Sequence, residues 1–110
     1  MTLSDYELIQ LIVSVLIGGL IGFEREMHAK AAGLRTMTLI TLGATLFTML
    51  SARMGGDAGR VAANIVTGVG FLGAGAILFS EGRIRGLTTA SSIWVAAALG
   101  MAVGLGEFAL

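Results

Sequence analysis

The chain of 110 residues carries seven basic and seven acidic side chains, so it has no net charge, and its charged fraction of 13% is about half that of a soluble domain. Apolar residues make up 55% and mean hydropathy is +0.90, more apolar surface than an 11.3 kDa water-soluble fold can hide. Neutrality without a basic stripe or aromatic platform argues against nucleic acid as a partner, and the absence of Cys excludes disulfides and thiolate metal sites.

Four stretches contain no charged residue at all: 8–23, 36–52, 61–80 and 86–106. Each approaches the ~20 apolar residues that a hydrocarbon core ~30 Å thick takes as a helix. The prediction is an all-α membrane protein, a single domain of four antiparallel transmembrane helices with Gly/Ala-rich packing and the lipid bilayer as its solvent.

The first span follows Asp5 and Glu7 with no Lys or Arg before it, unlike the basic start of a secretory signal, so it reads as a retained helix. Gly18 and Gly22 give it a small-residue pair suited to close helix packing. Arg25, Lys30 and Arg35 follow this span, Arg53 and Arg60 the second, and Arg83 and Arg85 the third. Positive charge concentrates on the cytoplasmic side, which places the N-terminus outside, with five basic residues in and two out. After four spans, residues 107–110 also emerge outside.

The gap from Glu24 to Arg35 is the densest in chemistry. If the first helix continues to a C-cap at Gly33, Glu24 meets His28 and Glu26 meets Lys30, both four residues apart. Arg25, Lys30 and Arg35 then serve as interfacial anchors. The first two spans have only 16 and 17 uncharged residues, so Glu24 and Arg35 fall at or inside the hydrocarbon edge. Charges there either anchor the helix ends or pair inside the bundle, and a Glu24–Arg35 ion pair is the functional candidate.

On the second span Thr38, Thr41, Thr45 and Thr48 recur along one face, as an interhelical contact or as the lining of a narrow polar path. Most of the other span hydroxyls, Ser14 and Ser91 among them, are expected simply to bond their own backbone. The third span is rich in small residues around Gly73, and its Asn64 needs a partner across helices, with Thr67 or the Arg35 region as candidates. Its run Gly70-Phe71-Leu72-Gly73 lacks the strand that a nucleotide fingerprint requires. Ser92, Ala96, Gly100 and Gly104 form a small-residue ridge on the fourth span. Such ridges pack helices within one chain or seam a homo-oligomer, and the motif does not distinguish the two.

Catalysis finds no nucleophile with a partnered base, so no enzyme is expected. His28 with Glu24 supplies two ligands where a transition-metal site needs three or four. The acids expected outside, Asp5, Glu7, Asp57 and Glu107, read as solvated loop residues rather than a magnesium site. No metal or cofactor is predicted.

Three runs, GFEREMHAKAAGLRT, VTGVGFLGAGAILF and RGLTTASSIWVAAALGMAVGLG, closely resemble in order the hydrophobic domain of the MgtC/SapB family of bacterial inner-membrane proteins. The resemblance spans Val13 to Gly106. It implies a multi-pass protein of the bacterial cell inner membrane, induced in many members when magnesium is scarce and linked in pathogens to virulence through survival in phagocytes. Members are regarded as regulators that bind other membrane proteins, including the proton-translocating ATP synthase. Carried over by position, the polar signature falls on Glu24, Arg25, Glu26, Gly33, Leu34, Arg35 and Thr36, and on Gly86, Leu87, Thr88, Thr89 and Trp94. Members commonly have a fifth span and some add a soluble cytoplasmic domain, both beyond this chain. Many relatives have His where this chain has Met37, and Gln where it has Asn64.

Two functions of different class follow. One is a regulatory protein whose small-residue ridges dock other membrane helices. The other is a small transporter or channel subunit in which Glu24, Arg35, the second-span threonines and Asn64 line a route.

Overall fold

A computed structural model describes residues 3–55, 57–80 and 82–108; Gly56 and Glu81, which fall in the gaps between the charge-free runs, and the first two and last two residues lie outside it. Four helices and one short hairpin are present: α1 (Asp5–Met27), α2 (Leu34–Arg53), α3 (Ala58–Gly75), β1 (Leu78–Ser80), β2 (Arg83–Arg85) and α4 (Leu87–Leu105).

Local chemistry explains the starts and stops. Ser4 and Glu7 form a reciprocal capping box on α1, the Ser4 hydroxyl accepting from the Glu7 N–H at 3.1 Å and the Glu7 carboxylate from the Ser4 N–H at 3.0 Å. Asp57 caps α3 by accepting from the Gly59 and Arg60 N–H groups at 2.9 and 3.3 Å. Gly86 and Gly106 bracket α4 at φ +93° and +79°, backbone that a side chain resists.

Two boundaries differ from expectation. The first helix stops at Met27 instead of running to Gly33, and the link to α2 passes through Ala29 and Ala32 at φ 52° and 56°. Left-handed alanines cost about 1–2 kcal/mol each, so tertiary contacts must hold this turn. The third charge-free run, expected as helix over 61–80, is helix only to Gly75. Its end pairs antiparallel with the basic segment, Leu78 opposite Arg85 and Phe79 opposite Ile84. An apolar run carries no sign of its backbone conformation, and Gly82 at φ +73° supplies the turn.

Helix α2 packs most extensively against α1 and α4; α3 lies against α4 and, less extensively, α2, and the contact between α1 and α4 is smaller than that between α3 and α4. Met37, Ala44, Ile65, Val69, Ile93, Ala96 and Ala97 make one apolar cluster. Around it the distribution inverts that of a soluble protein. Gln10, Ser14, Arg25, Thr41, Thr45 and Thr89 are buried, while Leu20, Phe47, Phe71 and Trp94 are exposed, Phe71 to 80%. By length and composition α1, α2 and α4 can each cross a membrane, and the molecule's longest dimension of 52 Å exceeds the ~40–45 Å of a bilayer with its headgroups.

Candidate functional site

The buried face of α1 repeats nearly every fourth residue: Gln10, Ser14, Gly18, Gly22 and then Arg25. A methyl group on Gly18 would lie 2.8 Å from the Met37 carbonyl oxygen, and one on Gly22 2.5 Å from the Leu34 Cα. On α4, a methyl on Gly100 would collide with the Thr41 carbonyl, and one on Gly104 would lie 2.7 Å from the Thr48 Cβ. These glycines let α1 and α4 close directly on α2. Gly73 meets Ala90 at ordinary contact distance, and Ala96 is fully buried.

That close approach makes backbone carbonyls available as acceptors. Thr41 Oγ1 donates to the Met37 carbonyl at 3.0 Å and reaches that of Ala96 at 3.4 Å; Thr45 Oγ1 donates to Thr41 at 3.0 Å and to Gly100 at 2.8 Å. Thr48 Oγ1 donates within α2 to Ala44 at 2.8 Å. From α1, Gln10 Nε2 donates to the carbonyls of Val103 and Gly104 at 2.7 and 3.1 Å. Thr41, Thr45 and Thr48 of the predicted stripe therefore form a contact seam between α2 and α4, whereas Thr38 lies against Gly18 and Gly19 of α1.

At the other end of α1, Arg25 turns inward and is only 5% exposed. Its Nη2 donates to Thr89 Oγ1 at 2.5 Å and its Nη1 to Ser92 Oγ at 3.0 Å, while Nε is shared between the carbonyls of Ala31 and Ala32 at 2.9 and 3.2 Å. One guanidinium thus ties the end of α1 to the start of α4 and to the turn containing left-handed Ala32. Among the described residues no carboxylate lies within ion-pair distance of it, so neutral dipoles alone compensate a buried charge. Each such bond to an ionised group is worth about 1.5–3 kcal/mol, which makes the cluster a strong clamp.

The other predicted polar residues separate from this hub. Glu24 pairs with His28 at 3.1 Å in a largely exposed contact, and Arg35 is also exposed, so the two do not form the expected intramembrane pair. The reason is angular: neighbouring helix residues point about 100° apart, and the inward direction belongs to Arg25. Glu26 does not serve Lys30; its Oε1 accepts from the Leu34 N–H at 3.0 Å and starts α2. Thr36 and Thr88 are exposed. Thr67 is exposed and returns its hydroxyl to the Ala63 carbonyl at 3.0 Å, and Asn64 beside it is exposed with no hydrogen-bond partner among the described residues. Gln10 was not singled out, although stepping back by four from Gly22 and Gly18 leads through Ser14 to it.

At the end of the bundle away from Arg25, Glu7 and Arg53 join α1 to α2 through an ion pair. Two larger cavities are lateral. One of about 550 Å³ lies between α2 and α3, and a shallower one of about 1010 Å³ lies between α1 and α2, with Glu26, Arg35 and Thr36 among its lining.

Helices this apolar on the outside, locked inside by hydroxyl, amide and guanidinium contacts, define a small all-helical membrane-protein domain. The chain belongs to the MgtC family, whose model matches residues 11–110. It is similar to the protein named "Putative magnesium transporter YhiD" of Escherichia coli (strain K12), with 47% identity covering 94% of this chain and 53% of that protein. It is also similar to "Protein MgtC" of Brucella abortus (strain 2308), 53% identical over 83% of this chain and 39% of that one. "Protein MgtC" of Salmonella typhimurium (strain 14028s / SGSC 2262) is 44% identical over 92% of this chain and 44% of its own length. The chain thus spans about half or less of the curated relatives it matches. No solved structure matches it.

Proposed function

We propose that this chain is the membrane domain of a regulatory protein of the bacterial inner membrane, crossing it four times from an external N-terminus and acting by binding other membrane proteins, without catalysis. Family resemblance links that role to magnesium limitation and virulence. The contacts support four crossings. Thr41 with Ala96, Thr45 with Gly100 and Thr48 with Gly104 advance in step, so α2 and α4 run the same way and the chain between them must return. Its 18-residue α3, about 27 Å long at 1.5 Å per residue, matches that passage.

One observation carries the choice of binding over conduction: Gln10, Arg25, Thr41, Thr45 and Thr89, buried polar groups of the core, are bonded between helices, while Ser14 and Thr48 are bonded to their own. Among the described buried side-chain nitrogen and oxygen atoms only Ser51 Oγ lacks a partner. Threonines engaged with α4 carbonyls are poorly placed to pass an ion. The ridges of Gly18, Gly22, Gly100 and Gly104 are spent on the chain's own packing, so partner helices would meet the outer faces instead.

Transport of an ion, proton or solute is the second reading, favoured by the name of the Escherichia coli relative. Reconstitution in liposomes separates the two. Magnesium and proton flux no greater than in protein-free vesicles is the expected result. Robust flux abolished by Arg25→Gln, Glu24→Gln or Arg35→Gln would overturn the binding role.

A further inference from the structure

Asn64 sits on α3 one helical turn beyond Arg60, about 6 Å along the axis, on the edge of the cavity between α2 and α3. Its neighbours there are apolar or bare, Phe47, Ile65 and Leu72 with Gly43 and Gly68, and a methyl group added at either glycine would meet nothing within 4 Å. The amide is exposed and has no partner among the described residues. In hydrocarbon that is costly, because lipid tails offer neither donor nor acceptor. Gln10 on α1, with the same functional group, resolves the same problem by contact, its amide finding two α4 carbonyls.

We infer that the α2–α3 flank is the seat of a second copy of this chain, with the two Asn64 amides bonded to each other across a two-fold axis along the bilayer normal. An amide has both a donor and an acceptor, so it is its own complement. Two copies inserted in one orientation hold the residue at equal depth, and a two-fold axis brings like to like. Gly68, one turn further, leaves room for the neighbouring backbone. The inference deepens the binding role proposed above and rests on α3 lying in the bilayer.

The test is the stoichiometry of the fluorescently labelled full chain in lipid vesicles, by single-molecule photobleaching across a lipid dilution series. The wild type is expected to form a dimer that dilutes to monomer. Asn64→Leu should weaken it about three- to thirty-fold, the range commanded by one interhelical polar contact, and Asn64→Gln should restore it. Thr67→Val, whose hydroxyl serves its own helix, should leave it unchanged. Single cysteines should crosslink at Phe71 on α3 and not at Trp94 on α4. A monomer at every dilution, a dimer insensitive to Asn64→Leu, or crosslinking through Trp94 alone would overturn the inference, the last pointing to a different interface. Unchanged helicity and melting of each variant show that folding is not the cause. Fast labelling of Asn64→Cys by a water-soluble maleimide in wild-type-like vesicles would show instead that α3 is outside the bilayer, a failure of the four-crossing reading.

Discussion

The core of α1, α2 and α4 and the flanking α3 contain similar residues, small ones at four-residue spacing with an occasional amide or hydroxyl, yet they are used in opposite ways. In the core, glycines meet backbone within contact distance and Gln10, Thr41 and Thr45 bond across helices. On α3, among its described residues, only Ile65, Val69 and Gly73 are buried; Gly68 and Gly70 meet nothing, and Asn64 stands unbonded. A small-residue motif thus marks where helices can approach, and which neighbour arrives is a property of the whole bundle.

The sharpest way to break that contrast is to enlarge glycines on each side of it. Gly100→Leu should cost about 3 kcal/mol or more, because the side chain meets the Thr41 carbonyl and Ala44 Cβ, whereas Gly68→Leu should leave monomer stability within about 0.5 kcal/mol. Reversible unfolding in detergent, followed by circular dichroism, measures both. Next in size is the Arg25 clamp. Thr89→Val strands a buried guanidinium donor and should cost about 2 kcal/mol, while Thr88→Val, exposed one residue away, should be close to neutral. Gln10→Leu should cost about 1 kcal/mol through its lost carbonyl contacts, against no loss of monomer stability for Asn64→Leu. The smallest effect is expected of Glu7→Gln, which removes a pair between partly exposed side chains. Its melting shift should shrink as salt is added, unlike that of Thr89→Val.

Much of the fold was legible in the chain because charge marks where a helix leaves lipid: the charge-free runs anticipated α1, α2 and α4 to within a few residues of their ends. The run over 61–80 misled at its end, since hydropathy alone cannot tell a helix from a hairpin strand in Leu78–Ser80. Within the site, Arg25 and Thr89 come together, whereas Glu24 and Arg35 stay outside. Adjacent charges at a helix end look alike in sequence, and only the rotation of α1 against α4 selects one of them.

The sequence by itself determined the apolar character of the helices, their number and the family, because these depend on local composition and short motifs. Tertiary structure alone decided that Arg25 is a buried cation, that Thr41 and Thr45 bond to α4, and that Asn64 has no partner among the described residues. Hydrogen-bond partnership is settled by distances of a few tenths of an ångström between helices, and those follow from packing that no single segment encodes.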